Sequence, residues 1–187
     1  MKKSIAGALF ALIFLGSTGA AFGAGFTLTL KAGYFMPSDR VFRDVYGGGP
    51  AFGGEVAIPL AGPVQLWAGA DIFGKTGHLS VSEEETKVRI TPLYAGLRAE
   101  FGKTGIRPYF GAAAAYFLFH EVNLLGTVGE SGLGFLTQAG ILARLGGSLW
   151  LDVFAGFRAC TLRADADDPL EARIGGLSAG LGLAYRF

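Results

Sequence analysis

The stretch Leu177-Ser-Ala-Gly-Leu-Gly-Leu-Ala-Tyr-Arg-Phe187 sets the fold class. In an extended strand, Leu177, Ala179, Leu181, Leu183, Tyr185 and Phe187 share one face, and Ser178, Gly180, Gly182, Ala184 and Arg186 share the other. Such a strand needs an oily wall on one side and closely packed small or polar groups on the other. A lipid-exposed β-barrel supplies both.

The beginning of the sequence agrees. Lys2 and Lys3 precede an uncharged stretch, Ser4 to Gly16, and then small residues from Ser17 to Ala24. That order is expected of a signal peptide over residues 1–23, cleaved near Ala21 or Gly23, with a barrel domain over 24–187. The apolar core of this leader is too short to cross a bilayer as a helix, and no later run of about eighteen apolar residues occurs. Half of the chain is nevertheless apolar, its mean hydropathy is positive and it carries 31 glycines. Neither a disordered segment nor an ordinary soluble domain has that composition. Net charge is +1 with no basic stripe, which argues against nucleic acid as a partner. Cys160 is the single cysteine, so no internal disulfide forms, and it reads as an inert buried thiol.

Eight alternating segments can be laid out, at about 26–36, 50–60, 64–76, 87–101, 106–120, 132–145, 148–162 and 174–187. Most reach the roughly nine to eleven residues a tilted membrane strand needs. Ala61-Gly62-Pro63, Gly102 to Gly105 and Gly146-Gly147 are tight turns, whereas 37–49, 77–86, 121–131 and 163–173 are longer connections. The expected fold is all-β, an eight-stranded antiparallel up-and-down transmembrane barrel with short turns on the periplasmic side and four long extracellular loops.

Facing is clearest in four strands. The third sets Val64, Leu66, Ala68, Ala70 and Ile72 against Gln65, Trp67, Gly69, Asp71, Phe73 and Lys75; the sixth and seventh repeat the pattern, and the eighth is described above. The fourth shifts phase between Val88/Ile90 and Leu93/Ala95/Leu97, with a bulge expected at Pro92. In the fifth, both faces are apolar or small and no facing is assigned. A soluble lipocalin-type barrel would turn its apolar sets inward. The small polar set of the last strand would make a poor solvated exterior, so the polar faces are placed inside.

An eight-stranded barrel is just wide enough for side chains to fill it. The inward candidates are Glu55, Asp71, Lys75, Arg98, Glu100, Gln138, Arg144, Asp152, Arg158 and Arg186. Lone buried charges are costly, so these mixed acids and bases are expected to pair as a structural network. Trp67 and Trp150 each follow a short turn by three positions and share parity with their strand's acid. Both indoles are expected to point inward as a plug at the periplasmic rim; an interfacial aromatic belt would put them outside.

No catalytic, cofactor or metal site is expected. The acidic clusters Glu83–Glu85 and Asp165–Asp168 lack the spacing of an EF-hand and read as charged loop tips. Gly47-Gly48-Gly49 is followed by no helical pattern and reads as a loop end that opens strand two. Residues 39–46 are expected to form a short helix with Ser38 as N-cap, folding its apolar groups over the barrel mouth. His78 and Ser80 form a His-x-Ser pair resembling that of the lipid A deacylases, also eight-stranded barrels; Val81 stands where that family has asparagine.

The whole mature chain resembles the small outer-membrane β-barrel superfamily of OmpW-, OmpX- and OmpA-type barrels. Gly182, Tyr185 and Phe187 match that family's C-terminal assembly signal, and Gly33 to Gly49 is similar to a segment of poorly characterised members. The resemblance implies an outer-membrane location amid lipid and lipopolysaccharide, and delivery by the barrel-assembly machinery. It leaves open a non-enzymatic structural or surface-interaction role, a narrow conduit or binding site for a small hydrophobic molecule, and, more remotely, a lipid A-modifying hydrolase. A lateral opening lined by Phe117 and Phe119 would favour the conduit. A continuous hydrogen-bonded wall around a filled lumen would favour the structural role.

Overall fold

Alternating segments separated by tight turns fold as neighbouring hairpins, and they do so here in sequence order. The computed structural model describes residues 25–78, 85–102, 104–123, 126–163 and 171–187. Its strands are β1 (Thr27–Pro37), β2 (Gly49–Ala61), β3 (Val64–His78), β4 (Glu85–Glu100), β5 (Ile106–Asn123), β6 (Gly126–Gly146), β7 (Leu149–Arg163) and β8 (Glu171–Arg186). One helix, α1 (Arg40–Tyr46), follows β1. Each strand pairs antiparallel with its chain neighbours, and β8 returns to β1 to close the barrel. The ladder starting at Thr27 passes through Ala57, Trp67, Gly96, Ala113, Leu136, Arg158 and Gly176 and returns to β1 at Pro37. That offset along β1 tilts the strands and sets the narrow bore. The seam is locked by the Phe187 N–H donating to the Phe26 carbonyl at 2.9 Å and by their stacked rings, 4.3 Å apart.

The turns follow from glycine. Gly62 and Gly147 adopt φ of 55° and 52°, a left-handed conformation that tight hairpin turns require and L side chains resist. At the other end, Asp39 rather than the expected Ser38 caps α1, its Oδ1 accepting from the Phe42 N–H at 2.9 Å. Aspartate at position 39 reaches the open N–H groups of the first turn without the extra residue that Ser38 would need. Gly47, at φ 65°, terminates the helix by donating to the Arg43 carbonyl.

The outward faces are apolar. Leu133, Leu30 and Leu177 are 77%, 66% and 60% exposed, while Trp67, Phe117 and Asp152 are fully buried. Two expectations need correction, and the unassigned fifth strand receives a facing. The fourth strand has no bulge at Pro92: its registers with β3 and β5 hold across that residue, and Val88 and Ile90 face inward with Pro92, Tyr94 and Arg98. The apparent phase shift arises because the upper lumen is itself apolar. Strand five turns Tyr109, Ala113, Ala115 and Phe117 inward and Phe110 and Leu118 outward. Residues 121–123 and 126–131, expected in a long loop, instead continue β5 and β6 as one tall hairpin. Beyond the Gly134–Cys160 pair, the described part of β6 is laddered on its β5 side alone. The expected signal peptide lies outside the described residues.

Replacing Leu181, outward on β8, by Arg is expected to destabilise the folded barrel in liposomes by about 2–4 kcal/mol. Urea titration checks this, and a loss under about 0.5 kcal/mol would place that face away from lipid.

Candidate functional site

The lumen divides into a polar lower half and an apolar upper half. The hub of the lower half is the Glu55 carboxylate on β2. It accepts from Arg98 Nη1 at 2.9 Å, Lys31 Nζ at 3.1 Å, Gln138 Nε2 at 3.3 Å and the Tyr94 hydroxyl at 3.4 Å. Lys31 also donates to Gln138 Oε1 at 2.5 Å. From the hub the network runs two ways. Gln138 Nε2 donates to the Tyr109 hydroxyl, which donates to Asp152 at 2.9 and 3.1 Å. Arg98 Nε donates to Gln65, which donates to Glu100, and Glu100 pairs with Arg107 and Arg186 at 2.9 Å each. A separate pair, Arg158–Asp71 at 3.2 Å, lies beside Phe35. All eight strands contribute.

Alternation produces this arrangement. Thr27, Thr29 and Lys31 repeat at period two on β1, and Gln65, Trp67 and Asp71 repeat on β3, so each places its polar heads in the bore. Glycines make room: a Cβ at Gly182 would meet Thr29 Cγ2 at 2.9 Å, and one at Gly111 would meet the Trp67 ring at 2.9 Å. Lys31 is buried under the Phe154 ring, 4.2 Å from its centroid, and Arg98 lies 4.7 Å from that of Tyr109. Three buried bases, Lys31, Arg98 and Arg158, together with the half-buried Arg107 and Arg186, thus face four buried acids, Glu55, Asp71, Glu100 and Asp152.

Of the expected lumen residues, Glu55, Asp71, Arg98, Glu100, Gln138, Asp152 and Arg158 are buried inside, and Arg186 is half-buried at the rim. Arg144 is a correction. It is exposed at the turn, its Nε donating to the Gly147 carbonyl, because the β6–β7 register shifts there and lifts it out of the bore. Lys75 is half-buried beside Gly49 and Phe73 and has no ion-pair partner among the described residues. Lys31, Tyr94, Arg107 and Tyr109 were not singled out, although Lys31 shares the parity of two threonines and that signal was present.

Trp67 and Trp150 both point inward, each in its own packing cluster. Trp67 packs on Tyr94 at 5.1 Å and belongs to the large apolar cluster; Trp150 packs in a smaller one with Tyr109, Leu142 and Phe154. Below them, at the short-turn rim, opens a cavity of about 360 Å³ lined by Gln65, Glu100, Arg107, Arg186, Pro59 and Pro63 among others. Neither indole lines it.

The upper half is filled by Phe35, Phe73, Val88, Ile90, Phe117, Leu136 and Ile174, with Phe42, Val45 and Tyr46 of α1 packed onto it. The Thr86 hydroxyl donates to Glu121 and so receives the Tyr46 hydroxyl, 3.1 Å away. Burial pushes the Tyr46 phenol above its ordinary value, which keeps it a neutral donor. Cys160 is buried beside the Leu133 carbonyl, 3.6 Å away. Ser80, Glu83, Glu84, the acidic cluster at 165–168 and the side chains of His78 and Glu85 lie outside the described residues. Among the described residues, no three His, Cys, Asp or Glu groups converge as metal ligands.

A closed eight-stranded wall, apolar outside and packed with side chains inside, defines the small outer-membrane β-barrels, and this chain has their fold. Its solved structural relatives make the class concrete. The Neisserial surface protein A matches with a TM-score of 0.61 at 12% identity over 87% of this chain and 97% of its own. The N-terminal barrel domain of Pseudomonas aeruginosa OprF matches at 0.54 and 18% identity, covering 87% and 99%. The E. coli outer membrane protein W matches at 0.55 and 14% identity, covering 88% and 98%. The likeness is one of fold. No protein-family model and no curated protein sequence matches the chain.

Glu55→Ala would leave Lys31 and Arg98 buried without their shared carboxylate, and is expected to cost about 3–5 kcal/mol of stability. Asp44→Asn, which breaks the exposed Arg40–Asp44 pair, is expected to change it by under about 0.5 kcal/mol. Urea unfolding of both variants in one lipid checks the contrast.

Proposed function

We propose that this chain is an integral outer-membrane barrel with a sealed interior, non-enzymatic, acting through envelope structure and the surface connections at its long-loop end. The observation carrying this reading is the filled lumen. Above the rim cavity, the polar network and the aromatic cluster occupy the bore among the described residues, and the void beside Lys31, Asp71 and Arg158 is about 10 Å³, room for about one water. All eight strand pairings are hydrogen-bonded, the β6–β7 ladder as far as the Gly134–Cys160 pair, which supports a structural core over a lateral gate below that level. In this reading lipopolysaccharide and lipid surround the outward apolar faces. Gly182, Tyr185 and Phe187 then serve as the signal for the barrel-assembly machinery. Tyr185 and Phe187 face outward and touch edge to ring at 4.7 Å, accessible to such a factor before insertion.

A second reading has one observation in its favour. The aromatic cup beneath α1 is the chemistry that a small hydrophobic molecule would seek, and α1 would have to lift to admit it. Binding of an apolar fluorescent probe that increases in a Phe42→Ala, Tyr46→Ala variant would favour it.

Reconstitution in planar bilayers tests the leading reading. The unmodified protein is expected to give no stable large conductance step, and one that persists would overturn the sealed interior.

A further inference from the structure

The rim cavity holds a charge arrangement that the structural network does not need. Arg107 and Arg186 converge on one carboxylate, Glu100, so the vestibule carries two guanidinium groups against one acid. Each lies over Trp150, 5.0 and 4.8 Å from the ring centroid, a cation–π contact that helps hold both in place. Arg107 bonds Glu100 through Nη1 and Arg186 through Nη2. The remaining terminal nitrogen of each has no partner among the described residues, and the Nε atoms are buried and unpartnered. Phe187 lines the same rim, and neither guanidinium pairs with it. Pro59 and Pro63 stiffen the opposite wall.

We infer that this vestibule is a binding site for a small oxyanion, a carboxylate or phosphate group entering from the short-turn side. The two free terminal nitrogens, one on each guanidinium held by Glu100, suit the planar or tetrahedral oxygens of such a group, and charge-assisted bonds of this kind are the strong ones. A cavity of about 360 Å³ admits the anion together with part of the molecule that bears it. Glu100 holds the two arginines in place and competes with the ligand for them, so it sets affinity from below. The ligand's phosphate could come from free solutes or from lipid headgroups at the membrane face.

That the vestibule faces the periplasm rests on the outer-membrane reading above; its chemistry does not. The test therefore uses the full barrel in octyl glucoside micelles, titrated with inorganic phosphate. The fluorescence of Trp150 is read in a Trp67→Phe background, which leaves one tryptophan. Calorimetry on the unmodified barrel repeats the titration free of that substitution. A saturable response is expected, weakened at least about tenfold in Arg107→Gln and in Arg186→Gln. Glu100→Gln, which frees both guanidinium groups, is expected to bind more tightly than the unmodified protein. A response that survives in micelles but vanishes in phospholipid nanodiscs assigns the site to a headgroup phosphate; one kept in both assigns it to a free solute. No saturable response, or one undiminished in the double Arg107→Gln, Arg186→Gln variant, overturns the proposal. Conductance of the reconstituted protein reports on the sealed-barrel reading independently.

Discussion

Glu55 is the point at which the interior is held together. Closing eight strands on themselves pairs the wall N–H and C=O groups without water along the ladders, but it forces the inward half of each strand into a bore one side chain wide. Lys31, Arg98, Gln138 and Tyr94 arrive there from three different strands and share one carboxylate. A charge in such a bore is tolerable only with its counter-charge and hydrogen bonds complete. The network therefore specifies which strand faces which, as much as it stabilises any of them.

The division of the lumen follows from the same limit. Where the strands carry Lys, Arg, Glu and Gln, the bore is crossed by hydrogen bonds; where they carry Phe, Val and Ile, it is filled by apolar packing and closed by α1. The two halves meet at Tyr94 and Trp67, whose rings belong to the apolar cluster while the Tyr94 hydroxyl reaches Glu55. A tyrosine at that boundary serves both sides because one end is oily and the other polar. The result is a plugged cylinder with a dry upper half, a bonded lower half and an open charged vestibule beneath.

Much of this was legible in the residues. Strict alternation in β3, β6, β7 and β8 gave the facing, because lipid accepts only apolar groups and so makes the outer row unambiguous. The turn glycines marked the short rim. What failed did so where the inside is also apolar. Val88 and Ile90 looked like a change of face, and Ile106 to Phe119 had no readable face, since a two-state polar code carries no information when both walls are oily. Arg144 shared the parity of inward residues, yet a register shift at the turn moved it out. The vestibule was invisible to strand-by-strand reading, because Glu100, Arg107 and Arg186 come from three strands and converge only when β8 meets β1.

That last meeting has a kinetic consequence. Seven of the eight ladders join chain neighbours and can form as local hairpins, but the one between Thr27 and Arg186 links the two extremes of the described chain. Loop-closure entropy makes it the slowest contact to find, and until it forms both β1 and β8 present raw edges. Phe26 and Phe187 act as the clasp: their stacked rings give the final zippering step an immediate reward, so the cylinder snaps shut from its terminal end upward.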